Sequence, residues 1–439
     1  MKWRRATRTR ISGADDTHAP PHGRIVTFVI GTTGIALLLF AYLAVTWRNF
    51  AGVTNSINAF TELFSDFVIY YYPMGEAIFH TELPVSGFLY SPFIAILMAV
   101  FPPLGLTSSL VLWGVLQVFF VILYLLLFRW LVPAGLQIQL LFVTFALSSF
   151  PLVLNLLGGQ VSVFMVVAIL GLLVLNKRGH CAAGAGLLAF AVSFKFYPII
   201  FLAPFATRRD KRFLLFAAAA CGGFLVVVPG ILLGFGDTLS FFGALLDSFR
   251  ESSWVTDNPH SQYFPHLILR LADAMGHDAR AHLPLLYWIA YGIAAANMGL
   301  IFLVQRARLR NADLWSFQLV FLTIPFVLKT SWPHDFVFLS FTQALLIWWL
   351  LEGEKATPGT DTERKRPHAS ACPRGRTIVM FFLLLPSIVF SNIVFFNLFG
   401  DFSRYGFYGF LFWANLLLLI ALYVQLLPPS LRRIQQPPA

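Results

Sequence analysis

The sequence predicts an all-α bundle that crosses a membrane about twelve times, and three observations carry that expectation. Charged residues make up only 12% of the 439-residue chain, roughly half the share usual in soluble domains, while 58% are hydrophobic and mean hydropathy is +0.74. Apolar runs approach the ~20 residues needed to span hydrocarbon. The basic residues are sorted into clusters between alternate runs.

The elements follow in order. A basic head, 1–24, precedes the first run at 25–46, which lacks a convincing small-residue cleavage site and reads as a retained helix. Further runs lie at 108–131, 137–156, 160–176, 182–206, 213–235, 284–304, 314–330, 335–351, 377–398 and 408–427. Lys and Arg gather at 1–24, 177–178, 208–212, 306–310, 352–376 and 432–433, and the positive-inside rule puts all of these in the cytoplasm. An odd number of crossings must then separate the loop 47–107 from Lys177. The short, proline-broken run 90–104 is therefore expected to lie as a juxtamembrane helix on the outer side. The run 182–206 must leave and return. At ~1.5 Å per residue it is too short to cross ~30 Å twice, so it reads as a re-entrant hairpin shielded by protein.

Both termini then lie inside, with outer loops at 47–107 and 237–283. Residues 25–350 form the working transmembrane unit, 351–376 a polar cytoplasmic linker, and 377–439 two last helices and a tail. This arrangement places 24 of the 31 Lys and Arg residues inside, so the net charge of +11 reflects topology and not a nucleic-acid footprint. Cys181, Cys221 and Cys372 show no CxxC spacing, so neither a disulfide framework nor a cysteine metal site is expected.

Chemistry is expected where the sorting fails. Between Trp47 and Thr107 the acids Glu62, Asp66, Glu76 and Glu82 face a single Arg48. The basic residues left off the cytoplasmic side are Arg48, Lys195, Arg250, Arg270, Arg280, Lys329 and Arg404. Ionisable groups at membrane depth cost at least about 2.5 kcal/mol, which favours a cavity or a partner for each. One acid to take a proton and several cations to hold a phosphate is the pairing that glycosyl transfer from a lipid phosphate requires. Bland alternatives exist for each group. Asp66 also fits a helix cap, Lys195 and Lys329 fit snorkelling side chains, Gln160 fits a cap, and His334 fits an ordinary hydrogen-bonded histidine.

Several patterns occur together in order: SDFVIYYYPMGEAIF, FLYSPFIAILMAVFPPLG, GGQVSVF, AGLLAFAVSFKFYPIIFLAPF, NPHSQYFPHLILRL and TSWPHDFVFL. With them the chain resembles, over about residues 25 to 350, the polyprenol-phosphate-mannose-dependent mannosyltransferases of glycosyltransferase family 87, which have the GT-C membrane fold. The resemblance implies that Asp66 is the general base, that Lys195 and His334 lie near the donor phosphate, and that Gln160 is the glutamine of the GQ pair. Arg270 and Lys329 are further candidates for holding the phosphate. The chain departs from the pattern at PHSQ, where an amide is expected before Ser261, and at Asp335, an acid directly after His334.

The expected reaction is an inverting transfer of mannose from a polyprenyl phosphate to an acceptor hydroxyl on a lipid or glycan. It takes place on the outer face of the plasma or inner membrane, and membrane lipids are the surroundings. No DxD lies in the first outer loop and no His, Asp or Glu cluster is seen, so no metal or other cofactor is expected. A polyprenyl phosphate pentose such as arabinofuranose is an alternative donor. A lipid or glycan flippase, or a non-catalytic scaffold, would be a different class. A flippase would spread charges through the bundle or show paired broken helices, whereas here the unsorted ionisable residues crowd one face.

Overall fold

The computed structural model describes residues 63–80, 84–251, 254–352 and 374–435. The basic head, the run 25–46, Arg48, Glu62, Glu82, the stretch 353–373 and Cys372 lie outside the described residues, as does the side chain of Arg250. Every named element is helical, and the described residues contain only an isolated bridge, between Ser149 and Asn392. Among the described residues, five helices are long and apolar enough to cross a membrane: Leu106–Leu131, Lys211–Leu233, Arg280–Arg306, Pro333–Leu351 and Phe410–Leu431. A sixth span results if Phe150–Gly158 and Ser162–Lys177, bent by 118°, count as one.

The Leu106–Leu131 helix shows how the bundle is built. Val111, Val115, Val118, Ile122 and Leu126 form an exposed apolar stripe at helical spacing. The opposite face buries Trp113, Gln117, Tyr124 and Phe128. The aliphatic stripe faces outward, while the helix's single amide, Gln117, faces inward with Trp113, Tyr124 and Phe128, as suits a helix solvated by lipid.

Two apolar runs are less regular than their composition implies. The run 137–156 is two helices, Leu136–Leu147 and Phe150–Gly158, separated at Ser148 and Ser149. Pro151 lies in the first turn of the second helix, where its missing N–H costs nothing. The freed backbone is satisfied from elsewhere, because Ile393 N donates to Ser148 O at 2.9 Å. The run 182–206 has one α-helical limb, Cys181–Phe194, and returns through the 3₁₀ turn Tyr197–Leu202 and the short helix Ala203–Thr207. A 3₁₀ turn rises about 2.0 Å per residue against 1.5 Å in an α-helix, which lengthens the return limb. In the first loop, Pro92–Met98 has only seven residues. At ~1.5 Å each, such a helix cannot cross ~30 Å of hydrocarbon.

Contacts tie the helix ends into two groups. At one end Arg208 donates to Asp313 at 2.6 Å, Gln305 to the same carboxylate at 3.0 Å, and the Arg178 guanidinium lies over Trp130. The other end encloses a cavity of about 780 Å³, whose lining includes Asp66, Gln160, Lys195 and His334.

Candidate active site

Several segments from distant parts of the chain build the cavity wall. The first is the π-turn Phe67–Tyr71, preceded by Asp66. Phe67 fixes it by stacking on Trp113 with ring centroids 4.8 Å apart. The backbone of Phe64 donates to Leu157 O at 2.7 Å, which clamps the turn to the Phe150–Gly158 helix. Asp66 makes no side-chain capping bond to its turn and instead lines the cavity. Burial raises its carboxyl from 3.8 to about 6, while the nearby Lys195 charge pulls in the opposite direction.

The GGQVS segment is the bend between two helices. Gly159 ends the first in the left-handed region at φ +65°, where a Cβ would meet Phe64 Cβ at 2.9 Å and Trp113 Nε1 at 3.0 Å. Its carbonyl accepts from Trp113 Nε1 at 2.9 Å. The bend delivers Gln160 to the wall, where its Oε1 accepts from the Tyr71 hydroxyl at 3.3 Å. The Tyr71 and Tyr90 hydroxyls are 2.6 Å apart. Since Tyr71 spends its proton on Gln160, Tyr90 is the donor within that pair.

Lys195 terminates Cys181–Phe194 in extended conformation. Ser91 Oγ donates to Ser193 O at 2.7 Å, so the YSP segment caps the end of the helix that presents the lysine. Lys195 Nζ then lies 2.6 Å from Asp335 Oδ1 and 3.5 Å from His334 Nε2. Asp335 also accepts from Ser162 Oγ at 2.9 Å and from Trp332 N at 3.1 Å.

A further stretch of the wall joins the outer loop to the start of the helix Phe402–Tyr408. His260 stacks on Phe402 with ring centroids 4.1 Å apart, and both line the cavity. Burial, with the Arg270 charge adding to it, pushes the His260 imidazole down to about 4, so this wall is neutral at physiological pH. The sequence offered little sign of these two residues. PHSQ marked a departure from a pattern, and Phe402 is one phenylalanine among 47.

Of the six candidate residues, Asp66, Gln160, Lys195 and His334 share this cavity. Arg270 and Lys329 do not line it. The Arg270 guanidinium is a strut that donates to the carbonyls of Asn258 at 3.0 Å, Ser261 at 2.8 Å and Gly406 at 3.4 Å. Lys329 Nζ instead lies over the Tyr287 ring, 5.4 Å from its centroid. Among the described residues, no group of three or more His, Cys, Asp or Glu side chains is placed to hold a metal ion. The arrangement can therefore take a proton at Asp66 and offer positive charge at Lys195 across one enclosed space.

The family model described as glycosyltransferase family 87 matches residues 88–331, more than half of the chain. No match to the chain was found among curated proteins or among solved structures. The matched segment holds Gln160, Lys195 and His260, whereas Asp66, His334 and Phe402 lie outside it. Folding brings both sets to one cavity.

Proposed function

The chain belongs to glycosyltransferase family 87, and from that premise we propose that it moves mannose from a polyprenyl phosphate to an acceptor hydroxyl with inversion at the anomeric carbon. The observation that carries this reading is an uncapped, partly buried carboxylate, Asp66, lining the same cavity as the Lys195 and His334 pair. A carboxyl near 6 is ionised at neutral pH yet basic enough to accept a proton in the transition state.

The acceptor hydroxyl gives its proton to Asp66 while its oxygen attacks the anomeric carbon. The bond from that carbon to the phosphate oxygen breaks, and its electron pair leaves with the polyprenyl phosphate. Lys195 stabilises the growing phosphate charge, and His334 flanks it. A β-linked donor yields an α-linked product. Gln160, fixed through Tyr71, orients sugar hydroxyls, and the neutral His260–Phe402 wall receives the apolar face of a sugar. Cationic side chains take the part that a metal plays in other transferases, so chelators leave the rate unchanged. The architecture this reading implies is a GT-C bundle of twelve crossings, counting 25–46 and both limbs of 182–206. Its basic end faces the cytoplasm and its cavity the extracytoplasmic side of the plasma or inner membrane.

The test is transfer by purified protein in lipid, offered polyprenyl phosphate mannose, a polyprenyl phosphate pentose or a nucleotide sugar. Mannose transfer with release of polyprenyl phosphate and an α-linkage supports the reading. Use of the pentose donor alone removes the sugar assignment. Transfer from the nucleotide sugar alone removes the lipid-phosphate chemistry altogether.

A further inference from the structure

Asp335 is a carboxylate beside the cavity that the reaction outlined above leaves unused. Its side chain is fully buried and absent from the cavity wall, so it has no access to a substrate. Its bonding capacity is spent inward. Oδ1 accepts from Lys195 Nζ at 2.6 Å and from Ser162 Oγ at 2.9 Å, and Oδ2 accepts from Trp332 N at 3.1 Å. These partners come from three segments: the end of Cys181–Phe194, the start of Ser162–Lys177, and the turn Pro333–Phe336 with the residue before it. Two of the three are rigid anchors, a backbone amide and the hydroxyl of a helix's first residue. The third is the mobile one, a lysine on a flexible four-carbon stem.

We infer that Asp335 is a positioning residue, which holds the Lys195 ammonium at a fixed point on the cavity wall with its remaining N–H donors turned toward a phosphate. The inference rests on reading this cavity as the site of transfer from a lipid phosphate. An ammonium carries three donors, and one of them is given to Asp335. The exposed fraction of the Lys195 side chain is 15%, and that part lies on the cavity. His334 follows the same geometry. It precedes Asp335 in the chain, so the bond from Trp332 N that fastens the carboxylate also sets the turn carrying the imidazole. Its Nε2 sits 3.5 Å from Lys195 Nζ. Charge placed in advance of the reaction stabilises a transition state without reorganisation, whereas an untethered lysine would lose rotamer freedom at each turnover. Asp335 also keeps the lysine in a buried setting where a lone cation is costly.

An ion pair that only supports the fold is the competing explanation, and a double-mutant cycle separates the two. Donor and acceptor kinetics are measured for wild type, Asp335→Asn, Lys195→Met and the double variant, each normalised to folded, monodisperse protein. The expected result is a fall in kcat/KM for the donor on the order of 10- to 100-fold in Asp335→Asn, with the acceptor KM unchanged. Introduced beside Lys195→Met, the same change should have no further effect. A wild-type rate in Asp335→Asn, or losses that multiply independently in the double variant, would overturn the inference. Should Asp335→Asn fail to fold, Ser162→Ala removes one anchor and leaves the charge pair. A several-fold fall that vanishes beside Lys195→Met supports the inference, and an undiminished rate overturns it. Independent losses in an enzyme that does use the lipid donor sink this inference alone. A wild type that ignores lipid phosphate sugars sinks the proposed function and this inference with it.

Discussion

A carboxylate and a guanidinium show how burial decides what an ionisable residue does. Asp66 is half-buried without a capping bond, and burial lifts its carboxyl to about 6. In its proposed role as base it works only when ionised, so kcat/KM for the acceptor should climb as pH rises through about 6 and level off above it. The effect on stability has the opposite sign. A folded-state value above the 3.8 of the free group means that stability is greatest below that value and falls as pH rises toward 6. Asp66→Asn should therefore raise stability at neutral pH, by about 3 kcal/mol before the discount for partial exposure and by less after it, as thermal denaturation would report. Arg270 has already committed its charge to backbone carbonyls. Arg270→Gln should cost about 2 kcal/mol or more of stability while leaving the donor KM of the folded fraction unchanged. Lys329→Ala should also leave the donor KM unchanged, since its ammonium rests on Tyr287. The acid loop, the SFKFYP lysine and the SWPHD histidine stood out in the sequence because charge is scarce there. Arg270 stood out for the same reason, but its partners are carbonyls, which no side-chain pattern announces. The tie between Lys195 and Asp335 was hidden by their separation of 140 positions in the chain.

At the scale of elements, the broken helices carry the site. Gly159 is required by its left-handed backbone and by its packing on Phe64 and Trp113, whereas Gly158 is an ordinary helical position whose added Cβ would meet Gln160 Cγ at 3.5 Å. Gly159→Ala should lower stability by about 1–3 kcal/mol and Gly158→Ala by much less, read from paired melting curves. Hydropathy located the apolar runs but not the breaks within them. The interruption at Ser148 and Ser149 lies within one long, mostly apolar run just ahead of Pro151, and Ile393, far along the chain, supplies a backbone donor to Ser148 O there. The return limb of 182–206 is 3₁₀ and short helix because Pro198 and Pro204 each open a new turn.

For the whole molecule, the sorting of charge and the two groups of helix ends describe the same polarity. Arg208, Asp313 and Gln305 mark one end, and the cavity with Asp66, Lys195 and His334 marks the other. In a cysteine-free background, a cysteine replacing Asn258 should react with an impermeant thiol reagent added outside intact cells, and one replacing Arg308 only after permeabilisation. The reverse pattern would turn the topology over. The most direct measurement of the central claim is transfer of labelled mannose from polyprenyl phosphate mannose by wild type and by Asp66→Asn, compared at equal folded protein in lipid. The account predicts a loss on the order of 10²- to 10⁴-fold in a variant at least as stable as wild type. Transfer at a wild-type rate by a well-folded Asp66→Asn would contradict it and return the role of base to another acid.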